Sequence, residues 1–163
     1  MRYLLMMALI FCAGCAQEID PGPPIYTSLA HPGSTVDAGA ARDLINAYRQ
    51  QQGLGQVVLD PLVTGVAAAR LQEMTREGKA ERSLKQAELT IRLKAAGLQP
   101  GPVAANVSAG YHTVAEAFSG WRESPDHNKT MLLAGATRMG LAAAYVPGSK
   151  YKVFWVLVMS GDE

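Results

Sequence analysis

Hydrophobic residues recur at intervals of three and four positions along the first half of the chain. This spacing marks one face of an α-helix, so the pattern predicts three helices. Asp60 before Pro61 is a strong start signal for the second, and Ser83 with Gln86 has capping-box spacing for the third. The three stretches are residues 37–52, 60–78 and 83–96. The residues at helical spacing are Leu44, Ile45 and Tyr48 in the first, Val63, Val66, Ala67, Arg70, Leu71 and Met74 in the second, and the apolar set Leu84, Leu89, Ile91 and Leu93 in the third.

The second half of the chain alternates with the period of a strand. Val103, Ala105 and Val107 alternate with smaller or polar residues, and Gly110 interrupts the pattern. Two more strands, residues 138–146 and 151–160, are predicted to form an antiparallel hairpin around a Pro-Gly turn. The last strand is apolar on both faces, with Val153, Trp155, Leu157 and Met159 on one and Phe154, Val156 and Val158 on the other.

A helix is predicted between the strand that Gly110 interrupts and this hairpin. Thr113 with Glu116 has capping-box spacing, and an apolar face that includes Trp121 follows. Ser124-Pro125 ends this helix, because a residue before proline avoids the α region, and Ser124 is predicted to cap a second short helix.

A strand that is apolar on both faces requires helices above and below its sheet. The order of helices and then strands therefore predicts an α+β fold with three layers.

The amino terminus has the features of an export signal. Arg2 is followed by an apolar run that is too short to span a bilayer, and small residues precede Cys15. This ending resembles a bacterial lipobox, which implies cleavage before Cys15 and its lipidation; plain secretory cleavage and an uncleaved anchor are the alternatives. We therefore predict a signal peptide at 1–14, a lipidated Cys and flexible linker at 15–36, and one domain at 37–163. A linker rich in Pro and Gly is expected to extend.

Charge and cysteine content exclude several classes of site. The formal net charge is +1, from 15 basic and 14 acidic residues. This balance argues against nucleic acid as a partner. Both cysteines, Cys12 and Cys15, lie in the export signal, so the folded domain has no disulfide and no cysteine ligand for zinc.

Several motifs, taken in their order along the chain, resemble those of the CAP superfamily, the SCP/PR-1-like cysteine-rich secretory proteins. The resemblance is to the short bacterial branch of that superfamily. The family's Glu-Asn-Ile-Ala-x-Gly turn corresponds to Ala105-Asn106-Val107-Ser108-Ala109-Gly110, its helix tryptophan to Trp121, and its Ser-Pro-Gly-His-Arg to Ser124-Pro125-Asp126-His127-Asn128. Further matches are Asn46, Arg49, Gly53-Leu54, Leu59-Asp60, Leu62, Arg92-Leu93 and Gly97-Leu98. The resemblance implies a three-layer α-β-α sandwich with a small antiparallel sheet between helices.

The resemblance also implies a cleft that, in many members, holds two histidines and two acids able to bind a divalent metal. Of these positions one acid is Ala105 here, the other is Ser124, and no histidine falls near 81–84. Of the four positions, only that of His127 keeps the family's residue. His127 is equally well explained as a ligand-contacting residue or as a histidine at a helix end, hydrogen-bonded to the backbone near Asn106. His112, just after the turn, is an extra candidate. His127 with His112 would hold a metal such as Zn²⁺ only weakly, since a stable site needs three or more protein ligands.

We therefore expect a non-enzymatic CAP-domain protein, anchored by Cys15 in the bacterial envelope and facing the periplasm or the cell surface. It would bind an apolar small molecule or an envelope partner and need no cofactor. The residues expected to line its cleft are Asn106, Ser108, His112, Trp121 and His127. The first alternative is a hydrolase or peptidase-like enzyme using His127 with Glu123 or Ser124, although no Gly-x-Ser-x-Gly motif is present. The second is a structural envelope protein without a ligand.

Overall fold

The computed structural model describes residues 22–77 and 84–163, which form five α-helices, four strands and a short 3₁₀ turn. The predicted α+β fold is confirmed. The elements in chain order are the 3₁₀ turn Pro24–Tyr26, α1 Ala38–Gln51, β1 Val58–Leu59, α2 Pro61–Glu77, α3 Gln86–Ala95, β2 Pro100–Ala109, α4 Val114–Glu123, α5 Pro125–Met131, β3 Arg138–Tyr145 and β4 Val153–Asp162.

The sheet has the strand order β1-β3-β4-β2. Strand β4 pairs antiparallel with β3 on one side and with β2 on the other, so the predicted hairpin is present and β4 is central. The two residues of β1 pair parallel with β3, an addition to the antiparallel sheet that was expected. Two residues are too few to give a periodic signal in the sequence.

The two faces of β4 belong to two separate hydrophobic clusters. Its residues Val153, Trp155, Leu157 and Met159 pack with α1, α4 and α5, and its residues Phe154, Val156 and Val158 pack with α2 and α3. This division follows the alternation of side chains along a strand. It gives the three-layer sandwich that the two-sided apolar pattern predicted.

Side-chain caps begin most of the helices where the sequence indicated. Asp60 Oδ1 accepts the backbone N–H groups of Leu62 and Val63, at 2.8 and 3.1 Å. Thr113 Oγ1 accepts the N–H of Glu116 at 3.1 Å. Ser124 is the N-cap residue of α5, but its side chain makes no capping hydrogen bond.

Helix α3 departs from its prediction at two points. It begins at Gln86 with Lys85 as its N-cap, and the expected cap, Ser83, lies outside the described residues, as does Gly78, the expected end of α2. Leu89 and Leu93 are fully buried, but Ile91 is 68% exposed. Ile91 is two positions from each of these leucines, so it falls on the opposite side of the helix.

The described part of the predicted linker lies on the domain. Leu29 is 4% exposed in the cluster of α1, α4 and α5, and its N–H donates to the His112 carbonyl at 2.7 Å. Ile25, Ala30 and Val36 pack against the same cluster. Residues 24–36 are therefore held on the core rather than extended from it.

The Asn-x-x-Arg motif at the end of α1 joins that helix to the sheet. The Asn46 amide exchanges two hydrogen bonds with the backbone of Val57, at 2.8 and 2.9 Å. Arg49 is 1% exposed and donates to four backbone carbonyls. No carboxylate of the described residues pairs with it, and its burial lowers the pKa of the guanidinium.

Candidate functional site

Four of the five predicted cleft residues meet where β2 faces α4 and α5. Trp121 Nε1 donates to Ser108 Oγ at 3.0 Å, and Asn106 Nδ2 donates to the His127 carbonyl at 2.9 Å. We call these four residues the histidine cleft. Asn106 and Ser108 share one face of β2, and this places both side chains toward α4 and α5. Asn106 and Trp121 are buried, so these contacts are part of the core.

The His127 imidazole is half-buried, and its Nδ1 has no hydrogen-bond partner among the described residues. The Oδ1 atom of the fully buried Asn106 also has no hydrogen-bond partner among the described residues. Burial lowers the pKa of His127 from its ordinary 6.5, and the nearby Asp126 carboxylate opposes that shift. His127 is therefore neutral at pH 7. The hydrogen bond between these two residues joins Asn106 Nδ2 to the His127 backbone carbonyl, and not the His127 ring to the backbone near Asn106 as the alternative interpretation expected.

The acids of the implied metal site have no replacement in this structure. Ala105 packs toward α2 and α3, on the face of β2 opposite Asn106. Glu123 is exposed, and Ser124 is half-buried at the junction of α4 and α5. Within residues 22–77 and 84–163, no three His, Cys, Asp or Glu side chains lie close enough to hold a metal ion. The histidine cleft thus lacks the donor set that the resemblance implied.

His112, the fifth predicted residue, is held by contacts of its backbone. Its ring is exposed, and its backbone N–H donates to Glu116 Oε2 at 2.6 Å while its carbonyl accepts from Leu29. In the described chain no hydrogen bond joins it to His127. The backbone of His112, and not its ring, links the amino-terminal segment to the start of α4.

An apolar groove lies on the other side of the sheet, between α2 and α3, with a volume of about 460 Å³. We call it the α2–α3 groove. Its lining is apolar or glycine except for Arg92, and Leu62 at its edge is 45% exposed. Its lining residues are Pro61, Leu62, Gly65, Val66, Ala69, Arg92, Ala95 and Ala96. A pocket of this size and polarity is typical of small-molecule sites.

A second groove of similar volume, about 450 Å³, lies beside α1. Its lining includes Arg42, Asp43, Asn46 and two glutamines, so it is far more polar. Ala47 is exposed on its wall. This second groove provides a matched comparison for experiments on the first.

Sequence reasoning did not identify the α2–α3 groove. The apolar face predicted for α2 included Ala67, and Ala67 does pack in the core. Ala69, two positions later, lines the groove instead. The available signal was Gly65, which stands in the middle of a helix although glycine there is unfavourable by about 1 kcal/mol.

The comparisons with known proteins agree with this architecture. The model of the cysteine-rich secretory protein family, CAP, matches residues 42–159. The search of curated proteins found no match to the chain. Among the described residues, no helix has the length and apolar content needed to cross a membrane.

Two solved bacterial structures have the same fold. An outer surface protein of Borrelia burgdorferi superposes with a TM-score of 0.67 at 12% identity, over 80% of this chain and 99% of that one. An extracellular protein of Bacillus anthracis that contains an SCP domain gives 0.63 at 20% identity, over 76% of this chain. This chain covers 40% of the Bacillus protein's length. At these identities the likeness shows the fold alone.

Proposed function

The chain belongs to the cysteine-rich secretory protein family, CAP, and from this premise we propose that it is a lipid-anchored, non-enzymatic protein of the bacterial envelope that binds an apolar small molecule. The observation that carries the proposal is the α2–α3 groove. Its volume of about 460 Å³ and its apolar lining suit an apolar ligand. The site proposed from the structure thus differs from the histidine cleft favoured by the sequence.

The groove is long enough to hold an extended apolar ligand. Its α2 wall runs from Pro61 to Ala69. Eight helical steps of about 1.5 Å give a length of about 12 Å. Leu62 and Ile91 add exposed apolar surface on its two helices, and Ile91 lies one turn before the lining residue Ala95. Burying such surface against a ligand is favourable by about 25 cal/mol per Å².

The hydrolase alternative has less support. A nucleophilic serine needs a neighbouring base that accepts its proton. Ser124 makes no side-chain capping bond, and the buried Nδ1 of His127 has no partner in the described chain, Ser124 included. Loss of an activity in His127→Ala, with the fold intact, would favour the enzyme over the binder.

Binding in the groove is tested by blocking it. Nile red, an uncharged apolar dye, would be titrated into the full-length chain carrying Cys15→Ser. A Cβ built on Gly65 meets no atom within 4 Å, so Gly65→Phe places a ring in open groove space. Ala47→Phe, in the polar groove beside α1, is the matched control. The amino-terminal apolar run is common to all variants and cancels in the comparison.

We expect saturable dye binding that Gly65→Phe abolishes and Ala47→Phe preserves. Mass spectrometry of the native protein should then detect a copurified apolar molecule that Gly65→Phe has lost. Equal dye binding in both variants would refute the groove as the site. Absence of both dye binding and copurified ligand, together with cellular crosslinks to a neighbour, would favour the structural alternative.

The anchor requires its own experiment, because Cys15 lies outside the described residues. Cys15→Ser should abolish labelling by a radioactive acyl chain and release the protein from membranes. Membrane fractionation that is unchanged in this variant would refute lipidation at Cys15.

A further inference from the structure

Among the described residues, the α2–α3 groove has one charged lining residue, Arg92, and two carboxylates pair with it. Arg92 Nη1 and Nη2 donate to the two oxygens of Glu73, at 2.7 and 3.0 Å. Its Nη2 and Nε also donate to Glu88 Oε1, at 2.8 and 3.2 Å. These contacts satisfy most of the donors of the guanidinium. The pairing lowers the pKa of Glu73 and raises that of Arg92, so both of these groups remain charged at neutral pH.

In the described chain, Arg70 joins Glu73, Glu88 and Arg92 in a network of two arginines and two acids. Its Nη1 donates to Glu73 Oε2 at 3.1 Å, so Glu73 contacts both arginines. Glu73 follows the lining residue Ala69 by one turn of α2, which places the network at one end of the groove. The network therefore lies beside the end of the groove that Arg92 lines.

Among the described residues that line this groove, an anionic ligand would find no cation other than Arg92, which already pairs with Glu73 and Glu88. To reach Arg92, a ligand carboxylate would have to displace Glu73 or Glu88 and then lie beside the displaced negative charge. Remaining in the apolar part would leave its charge desolvated and unpaired, which is costly. An uncharged molecule incurs neither cost.

We propose that the α2–α3 groove selects an uncharged apolar molecule and rejects the carboxylate of the same chain length. This inference rests on the proposed binding function and adds the chemical class of the ligand. The charge-matched Arg70–Glu73–Arg92–Glu88 network is the element that sets the selectivity.

The test compares two ligands that differ only in their head group. Dodecanol and dodecanoic acid would each displace Nile red from the full-length Cys15→Ser protein at pH 8, where the acid is ionised. We expect dodecanol to displace the dye at about one tenth of the concentration that dodecanoate needs, given the penalty for an unpaired charge. Displacement by dodecanoate at an equal or lower concentration would overturn the inference.

A charge variant then tests the network itself. Glu88 is half exposed, so Glu88→Gln should fold normally while it removes one of the two acids that neutralise Arg92. We expect the ratio of dodecanoate to dodecanol affinity to rise about tenfold, because the network gains one unit of positive charge while Glu73 still pairs with Arg92. Asp43→Asn, an exposed acid on the other layer of the sandwich, makes the same change in net charge as a control.

The outcomes separate the ligand class from the function. An unchanged ratio in Glu88→Gln, or an equal rise in Asp43→Asn, would overturn the role of the network. If dodecanoate binds as well as dodecanol and Gly65→Phe blocks both, only the ligand class is wrong. If neither displaces the dye and Gly65→Phe has no effect, the proposed function fails and the ligand class fails with it.

Discussion

Arg49 provides the most demanding test of what holds the domain together. Its guanidinium donates to the carbonyls of Gly55, Met131, Leu133 and Ala136, at 2.9, 2.8, 3.1 and 3.3 Å. These carbonyls belong to segments that are far apart in the sequence, after α1 and after α5. One side chain thus fixes the end of α1 against the loop that leads into β3.

Arg49→Met keeps most of the side-chain volume and removes every donor. Each buried acceptor left without a partner costs about 1–3 kcal/mol. The guanidinium's own desolvation, which lowers its pKa, is relieved in the variant and offsets part of this cost. We expect a net loss of about 3 kcal/mol in the free energy of unfolding, a large share of the 5–15 kcal/mol typical of a domain. Arg49→Lys keeps the positive charge but lacks the forked set of donors. Its free energy of unfolding should therefore lie between those of the wild type and Arg49→Met.

Urea unfolding followed by tryptophan fluorescence measures this loss. Trp121 and Trp155 lie edge to face in the same cluster, with ring centroids 6.1 Å apart, so their emission reports on the core. The midpoint should fall while the dependence of stability on urea stays unchanged. Arg42→Met, which removes a surface arginine paired with Asp43, should have little effect. A loss below about 1 kcal/mol in Arg49→Met would refute the anchoring role.

Three further effects are expected. A Cβ at Gly140 would strike the backbone of Val63 at the start of α2, so Gly140→Ala should lower the thermal midpoint sharply or prevent folding. Gly65→Ala meets no atom and should raise stability by about 0.4–1 kcal/mol, measured by the same urea titration. The pKa of His127 is lower in the folded state, so its contribution is complete above pH 6.5 and is lost as pH falls through the folded pKa. His127→Gln should therefore remove the part of the pH dependence of stability that lies below pH 6.5 and belongs to His127. The contribution of the Asp60 carboxylate, whose pKa is also lowered, is lost only as pH falls below its ordinary 3.8. Unchanged pH dependence in His127→Gln would contradict this assignment.

Elements with a strong local pattern were predictable from the sequence. Strand β4 alternates two apolar sets, and the structure assigns them to the two clusters. Asp60 and Thr113 were recognised as caps because each precedes a helical apolar pattern by the required spacing, and both make the expected hydrogen bonds. These features depend on residues within a few positions of one another.

Features that depend on distant contacts were not predictable. Residues 24–36 join the core through the single side chain of Leu29 and a few neighbours, which give no periodic signal in a segment rich in Pro and Gly. The position of Ile91 on the outside of α3 follows from where that helix meets the sheet. The α2–α3 groove is space between two helices, and its existence depends on their separation, which neither helix encodes alone.

Gly65 connects the stability of α2 with the proposed function. Glycine inside a helix costs about 1 kcal/mol relative to alanine. At position 140, in strand β3, the fold requires glycine, because the backbone of α2 occupies the place where the Cβ of Gly140 would lie if it were replaced. At Gly65 that place is empty, so the fold gains nothing from the missing side chain. What the missing side chain does provide is depth in the α2–α3 groove. Sacrificing stability to keep a cavity open is a trade found at binding sites, and this argument favours a ligand in the groove over a chance gap between helices.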